Sequence, residues 1–538
     1  MHRFLFFLFL TAGILNAQNK TEKEKDSIKE KEYKVLDSRF INVDSLWAPF
    51  DRELDNFGKS RYSEVAPYIF EKDIPEIQKA VKNSKFTYEE LALYYLYRIR
   101  KFDRENKLSL NSVISVNPEI LAEARKKDQL RKKSVSRNSI YGIPVLLKDN
   151  INTESVPTTA GAEVLKNNQT SDAYITKRLK ENGALILGKA NLSEWAYFFC
   201  GDCPSGYSAM GGQTLNPYGR KILDTGGSSS GSAVAVAANL APVAVGSETS
   251  GSILSPASQN SVVGLKPTIG VLSRGGIIPI SGTLDTPGPI TRSVIDNAIL
   301  LSAMSGRDSL DNSTKANPKA ITDYQKKLKK LKGTSLKGKR FGAIKGLMKD
   351  SVYSRAVSDL RKAGAEIIEF QAEEIQLPNF LRLLNLDMKK DLPAYFKNYA
   401  GDVPVNSVKD VLLYNYQDKE NRAPYGQALF EGIVQDTATA EEFAAIKDTL
   451  KTNGRKFFDV PMKKYNLDAI LSVNNKHAGF AAVAKYPAIT VPMGFSENNA
   501  PKGITFIARP FMETELLQWA YIFEMSTKYR KPPEKYTD

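Results

Sequence analysis

Three short segments hold most of the residues that could do chemistry. Lys148 ends the apolar run of "GIPVLLKDN" (142–150), and two serine-rich turns follow, "GGSSSGSA" (226–233) and "GSETSGSILSPAS" (246–258). A serine that attacks a carbonyl needs a base to take its proton. Histidine, the usual base, is nearly absent: the chain has two, His2 at the extreme N-terminus and His477 in "NNKHAGF". A lone histidine more often packs than reacts. Neutral lysine can do the work instead where burial lowers its pKa. A free lysine titrates near about 10.4, so poising it at about 7–8 costs ~4 kcal/mol. Lys148 is placed for such a shift, between apolar "IPVLL" and polar "DN". The same position also suits a lysine that snorkels from a strand end.

The glycine-rich turns admit several readings. A phosphate-binding loop needs Lys directly after the last Gly of GxxxxGK[ST]; none follows Gly231 or Gly251. Gly227–Gly231 fits G-x-S-x-G and points at Ser229, but that chemistry requires a downstream acid and then a histidine. In the second turn, Thr249, Ser250, Gly251 and Ser252 are small and consecutive. Backbone N–H groups in such a turn can converge on one oxygen and form an oxyanion hole. So few histidines and only two cysteines disfavour a multi-histidine metal site or a structural zinc. No metal and no cofactor are expected.

The elements that must carry these residues read as α/β. Thr87–Glu90 has a capping-box pattern, and Leu91, Tyr94, Tyr95 and Ile99 follow at helical spacing. Strand-like runs are expected at 110–118, 142–148, 183–191, 340–344, 467–473 and 486–495, with helices at 119–133 and 172–182. "AVAVAANLAPVAV" (233–245) reads as a buried helix followed by a strand. Near-continuous apolar strands between helices imply a largely buried sheet. From about 307 to 460 the texture changes to Lys-rich helices such as "ITDYQKKLKKLK" and "EEFAAIKDTLKTNGRKFF". This part is expected to be a helical variable lobe inserted in one sheet completed from both ends of the chain.

The N-terminus reads as a leader. Arg3 precedes the apolar "FLFFLFLTAGIL" (4–15), and Ala17 offers a cleavage position before Gln18. The run is shorter than the roughly 20 residues needed to span a bilayer. The expected organisation is a signal peptide at 1–17, a charged tether and extension at 18–72, and one catalytic domain at 73–538. The mature protein is expected in the periplasm or outside the cell, without stable membrane insertion. The net charge of +15 is spread along the chain with no basic run interleaved with aromatics, so no nucleic-acid partner is expected. Cys200 and Cys203 form "CGDC", followed at once by Pro204, Ser205 and Gly206. That context argues against a redox-active dithiol and leaves a local disulfide or two free thiols.

Taken together, "GIPVLLKDN", "GGSSSGSA", "GSETSGSI", "GLKPT" (264–268), "NLSEWA" (191–196), "GGQTLNPYG" (211–219), "SRGGIIPISGTLDTPGPITRSVIDNA" (273–298) and "YPAITVPMGF" (486–495) resemble the amidase signature family. The resemblance covers roughly residues 75–530. It implies a single large mixed β-sheet covered by helices, and a Ser–cis-Ser–Lys triad. By residue match Lys148 is the general base, Ser228 the bridging serine after a cis peptide, and Ser252 the nucleophile. The backbone N–H groups of Thr249, Ser250, Gly251 and Ser252 then hold the oxyanion. Within the family the chain looks most like bacterial peptide amidases, which remove ammonia from amidated peptide C-termini, so a small-molecule or peptide amide is the implied substrate.

The chain also departs from the family pattern. Ser250 stands where Gly or an acid is common, Leu254 where Arg is common, and Glu248 where Asp is usual. In relatives the Arg and the acid are often paired, so Glu248 needs another partner. The same resemblance admits a fatty-acid or other small-amide hydrolase, the glutaminase subunit of a tRNA-dependent amidotransferase, or a non-catalytic amidase-like binding protein.

Overall fold

A computed structural model describes residues 29–104, 107–130, 135–136, 139–315, 324 and 335–537. The expected leader at 1–17, the first part of the tether and nearly all of "ITDYQKKLKKLK" lie outside the described residues. Short apolar runs bounded by Gly, Pro and Asn become strands. They are β1 (Val113–Val116), β2 (Pro144–Lys148), β3 (Leu185–Ala190), the small hairpin β4 (Tyr207–Ser208) and β5 (Gly212–Gln213), β6 (Val243–Glu248), β7 (Val263–Lys266), β8 (Thr286–Thr291), β9 (Arg340–Ile344), β10 (Glu366–Phe370), β11 (Ala469–Val473), β12 (Ala488–Phe495) and β13 (Pro501–Ala508).

Eleven of these strands form one mixed sheet in the order β1-β3-β2-β6-β8-β7-β12-β13-β11-β9-β10. Every residue of β2, β3 and β6 is buried, because helices cover both faces and leave no side for polar alternation. One covering helix, Ser230–Ala237, is itself wholly buried. The helix expected from Thr87 spans Tyr88–Phe102, with Thr87 and Glu90 capping each other reciprocally.

The sheet places the chemistry. β2 and β6 are parallel neighbours in the register Val145↔Val243, Leu146↔Ala244 and Leu147↔Val245. Their C-terminal ends therefore emerge side by side, carrying Lys148 on one strand and Ser247 and Glu248 on the other. The crevice beyond the carboxyl ends of parallel strands is where an α/β sheet offers a binding site.

Two boundaries differ from the expectations. Residues 43–72 are not an extension apart from the domain: helices Val43–Trp47 and Asp51–Val65 bury Trp47, Leu54, Phe57, Tyr62 and Val65 in the main core, together with Phe50 between them. Trp47, Phe50, Leu54 and Phe57 recur every three or four positions and give a core-facing stripe despite the charges between them, and Tyr62 and Val65 resume it after a kink at Gly58. Nor does 307–460 form one lobe apart from the sheet: the strand expected at 340–344 joins the main sheet and brings a second, unexpected strand with it. β9, helix Ser351–Lys362 and β10 extend the main sheet, with β9 parallel to both β11 and β10. The helical part, from Phe380 to Lys464, builds a second apolar cluster with Trp195, Phe198, Phe199, Ile278 and Ile280. Among the described residues no helix is long and apolar enough to cross a membrane.

Candidate active site

Lys148 ends β2 and is fully buried. Its Nζ lies 2.7 Å from Ser228 Oγ, 2.9 Å from Ser247 Oγ and 3.1 Å from the Ser247 carbonyl oxygen. Burial pushes its pKa down to about 7, against the opposing pull of Asp285 and Glu248. Desolvation disfavours the ammonium form, and neither acid forms an ion pair with it. Two other buried lysines are also pushed down, each to about 8. Their contacts differ: Lys189 pairs with Asp149 at 3.2 Å and donates to Ile151 O, while Lys266 donates to Pro267 O. Among the three, Lys148 is the one that meets serine hydroxyls at the sheet edge.

Ser228 precedes the buried helix Ser230–Ala237, and the Gly227–Ser228 peptide is cis. Its carbonyl accepts the Ser193 N–H at 3.1 Å, and the next residue, Ser229, donates its N–H to Ser252 O at 3.1 Å. The two serine turns are thus joined backbone to backbone. Gly226 sits at φ +64°, where an added Cβ would fall 2.8 Å from Pro256 Cα, so only glycine allows this approach. Ser229, the residue picked out by G-x-S-x-G, instead donates its hydroxyl to Ser247 O at 3.1 Å and helps hold the end of β6.

Ser252 closes the turn after β6. It keeps 8% exposure, whereas Lys148 and Ser228 have none, so an entering substrate meets Ser252 first. Gly251 turns at φ +97°, and a Cβ there would lie 3.0 Å from Asn475 Nδ2. Glu248 finds its partner in the backbone: Oε2 accepts the N–H groups of Ile253 at 2.8 Å and Leu254 at 3.0 Å. It therefore caps helix Leu254–Gln259 and clamps the intervening turn. The extra methylene of Glu over Asp reaches these groups without an arginine at 254. Glu248→Ala leaves both N–H groups buried without an acceptor and is expected to cost about 2–4 kcal/mol. Denaturant unfolding reads this as a lower midpoint at constant slope, and Glu248→Gln, which keeps an acceptor oxygen, is expected to lose less.

Beside the turn opens a cavity of about 190 Å³. Ile277, Ile278 and Ile280 give it apolar walls, while Asn150, Ser247 and Thr249 face it from the catalytic side. Asp285 also lines it. It accepts the Thr249 hydroxyl at 2.6 Å and the N–H groups of Ile280 and Ser281 at 2.8 and 2.9 Å. Burial pushes the Asp285 carboxyl up to about 6 despite these bonds. Helix Phe380–Asn398 braces the same loop, since Ser281 donates its hydroxyl to Asp387 and Gly282 its N–H to Asp391 at 2.6 Å. Arg274 at the rim is held by Asp311 at 2.8 Å and donates to Gly282 O.

Lys148 thus contacts Ser228, and the turn of Ser228 is joined to Ser252 through the Ser229 N–H, whereas His477 makes no hydrogen bond to the lysine. It bonds Ser472 Oγ through Nδ1 at 2.7 Å and packs on Phe457, and burial pushes its pKa down to about 4. Cys200 and Cys203 are joined in a disulfide, with Cα atoms 5.8 Å apart. That loop belongs to the second apolar cluster, and the Cys203 carbonyl accepts the Tyr197 hydroxyl at 3.0 Å. Among the described residues no cluster of His, Cys, Asp and Glu could hold a metal ion. Ser247, Asn150 and Asp285 were not singled out in the sequence. All three sit inside matched motifs, but their contacts arise only once β2, β6 and the loop before β8 are brought together in the sheet.

Comparison with known proteins agrees with this fold. The family model described as Amidase matches residues 90–423. A probable amidase of Arabidopsis thaliana is 37% identical over 87% of this chain and 92% of its own length. The structure of an amidase family protein from Bacillus anthracis is 40% identical, covers 94% of this chain and 99% of its own, and superposes with a TM-score of 0.88. The native peptide amidase from Stenotrophomonas maltophilia is 37% identical, covers 87% and 99%, and has a TM-score of 0.80. With the sheet, the buried lysine and the two serine turns in place, the chain belongs to the amidase signature family and is a hydrolase acting on carbon–nitrogen bonds.

Proposed function

We propose that the protein is an exported amidase that releases ammonia from C-terminal peptide amides, with Lys148 as general base, Ser228 as proton bridge and Ser252 as nucleophile. The observation that carries this reading is the 2.7 Å contact between Lys148 Nζ and Ser228 Oγ, made by a lysine pushed down to about 7. At neutral pH a substantial fraction of Lys148 is unprotonated. It takes the Ser228 hydroxyl proton as Ser228 takes that of Ser252, and Ser252 Oγ bonds to the amide carbon. The N–H groups of residues 249–252 hold the oxyanion. The proton returns through Ser228 to the departing nitrogen, the C–N bond breaks, and ammonia leaves an acyl-enzyme. Water, deprotonated by the same relay, then releases the acid.

The cavity favours a neutral substrate. Among its described lining residues Arg274 is the one cation, and Asp311 and Gly282 O already occupy it. The α-carboxylate of free glutamine would find no free positive charge there, whereas a peptide amide presents none. The apolar walls suit an uncharged side chain, and the likeness to a peptide amidase points the same way. Export rests on the leader at 1–17.

The test is ammonia release by the protein starting at Gln18, offered an amidated short peptide, a long-chain fatty amide and free glutamine. Release from the peptide amide, at least about 100-fold faster in kcat/KM than from glutamine, is the expected result. Faster release from the fatty amide or from glutamine would overturn the substrate assignment while leaving the triad in place.

A further inference from the structure

We infer that Ser247 is a positioning residue for the general base: it occupies two of the three directions around Lys148 Nζ and so aims the third at Ser228. This inference rests on Lys148 being the base, as proposed above.

The reasoning is a count of hydrogens and lone pairs. A neutral amine has two N–H groups and one lone pair. Three oxygens surround Nζ: Ser228 Oγ at 2.7 Å, Ser247 Oγ at 2.9 Å and Ser247 O at 3.1 Å. The carbonyl can only accept, so it takes one N–H. The Ser247 hydroxyl has a single hydrogen, and Asn150 Oδ1 lies 3.3 Å away to receive it. Asn150 is oriented for that role because its Nδ2 donates to Ile278 O at 3.1 Å, an oxygen that cannot donate back, and also to Ser247 Oγ at 3.0 Å. With its hydrogen committed, Ser247 Oγ presents a lone pair to Nζ and takes the second N–H. The lysine lone pair is left facing the Ser228 hydroxyl, the proton it must remove.

The same arrangement serves the next state. Once the Ser228 proton has moved to Nζ, the ammonium carries three N–H groups, and all three neighbouring oxygens accept. No side chain has to move between the two protonation states, so the relay is preorganised. Ser247 is rigid enough for this task. It lies in β6 opposite Pro287 of β8, its N–H donates to Ser229 Oγ at 3.3 Å, and its carbonyl accepts from Ser229 Oγ. The charged groups acting on Nζ are Asp285 and Glu248. Neither is hydrogen-bonded to it, which leaves the two serines to set its direction.

The experiment follows the rate at which a fluorophosphonate labels Ser252 across about pH 5 to 9, which requires no knowledge of the natural substrate. Wild type is expected to show an inflection near the lysine's value of about 7. Ser247→Ala removes an acceptor that stabilises the ammonium more than the amine. The plateau rate is expected to fall about 10- to 100-fold, and the inflection to move down by roughly half a pH unit or more. Ser247→Thr, which keeps the hydroxyl, restores most of the rate and the wild-type inflection. Ser247→Cys keeps the volume with a weak acceptor and is expected to behave like alanine, so it carries the test should the alanine variant fail to fold. An unchanged inflection in both the alanine and cysteine variants, with only thermal stability altered, would overturn the positioning role. Wild-type labelling of Lys148→Ala would instead overturn the base assignment, a separate failure.

Discussion

Lys148→Ala is expected to lower kcat/KM for amide hydrolysis by about 10³- to 10⁴-fold, while His477→Ala changes it by less than about threefold. The first loses the group in hydrogen-bond contact with Ser228; the second loses a side chain that contacts Ser472 and Phe457. The pH dependence follows from the same lysine. Only the neutral amine can accept the Ser228 proton, so kcat/KM rises with pH through about 7 and levels off above it. The sign for stability runs alongside. The folded pKa lies below the ordinary value of 10.5, so between about 7 and 10.5 the unfolded chain binds more protons than the folded one. Stability from this group therefore increases as pH rises across that window, and its full cost is felt below pH 7. Lys148→Met, apolar and of similar length, is expected to be inactive yet to melt higher than wild type at pH 6. Paired activity profiles and thermal melts check both halves. A variant that lost activity and also lost stability at pH 6 would contradict the idea of a desolvated lysine held for function.

Ser252→Ala is expected to remove hydrolysis almost completely, by roughly 10⁴- to 10⁶-fold in kcat, with substrate binding largely retained. The cavity walls belong to Ile277–Ile280, Thr249 and Asp285, and none of them depends on the Ser252 hydroxyl. Ser228→Ala breaks the path between Lys148 and Ser252 and belongs to the same unit. The double variant Ser228→Ala, Ser252→Ala is accordingly expected to be no slower than Ser252→Ala alone, because groups that act as a unit do not add. Single-turnover kinetics and equilibrium binding of a peptide amide to the variants separate lost chemistry from lost binding. Losses that multiplied in the double variant would show that the two serines act independently.

Much of this site was legible in the sequence because its chemistry is concentrated in short segments. "IPVLLK" announced a lysine delivered by a buried strand, and the structure ends β2 at that lysine. "AVAVAANLAPVAV" became a buried helix followed by β6, as its length and composition implied. What stayed hidden depends on long-range register. Ser247 meets Lys148 because β6 lies beside β2, a partnership of residues 99 positions apart that no local pattern encodes. Asp285 reaches Thr249 only after the chain has passed through β7 and returned to the start of β8. The partner of Glu248 is hidden for a different reason: with Leu254 in place of an arginine the sequence shows only that another partner is needed, and its donors are backbone groups, which every residue carries. "EIIEF" was not read as a strand because its glutamates break the apolar run; β10 tolerates them as the last strand of the sheet, where one side remains exposed. The helices before residue 73 were masked by charge density, although Trp47, Phe50, Leu54 and Phe57 already carried a helical stripe.

The most direct measurement is to label the protein that starts at Gln18 with a fluorophosphonate at pH 8, digest it, and locate the adduct by mass spectrometry. Modification of Ser252 alone, lost in Ser252→Ala and strongly slowed in both Lys148→Ala and Ser228→Ala, is the predicted result. An adduct on Ser228 or Ser229, or labelling of Ser252 that proceeds undiminished without Lys148, would contradict the lysine–serine–serine relay.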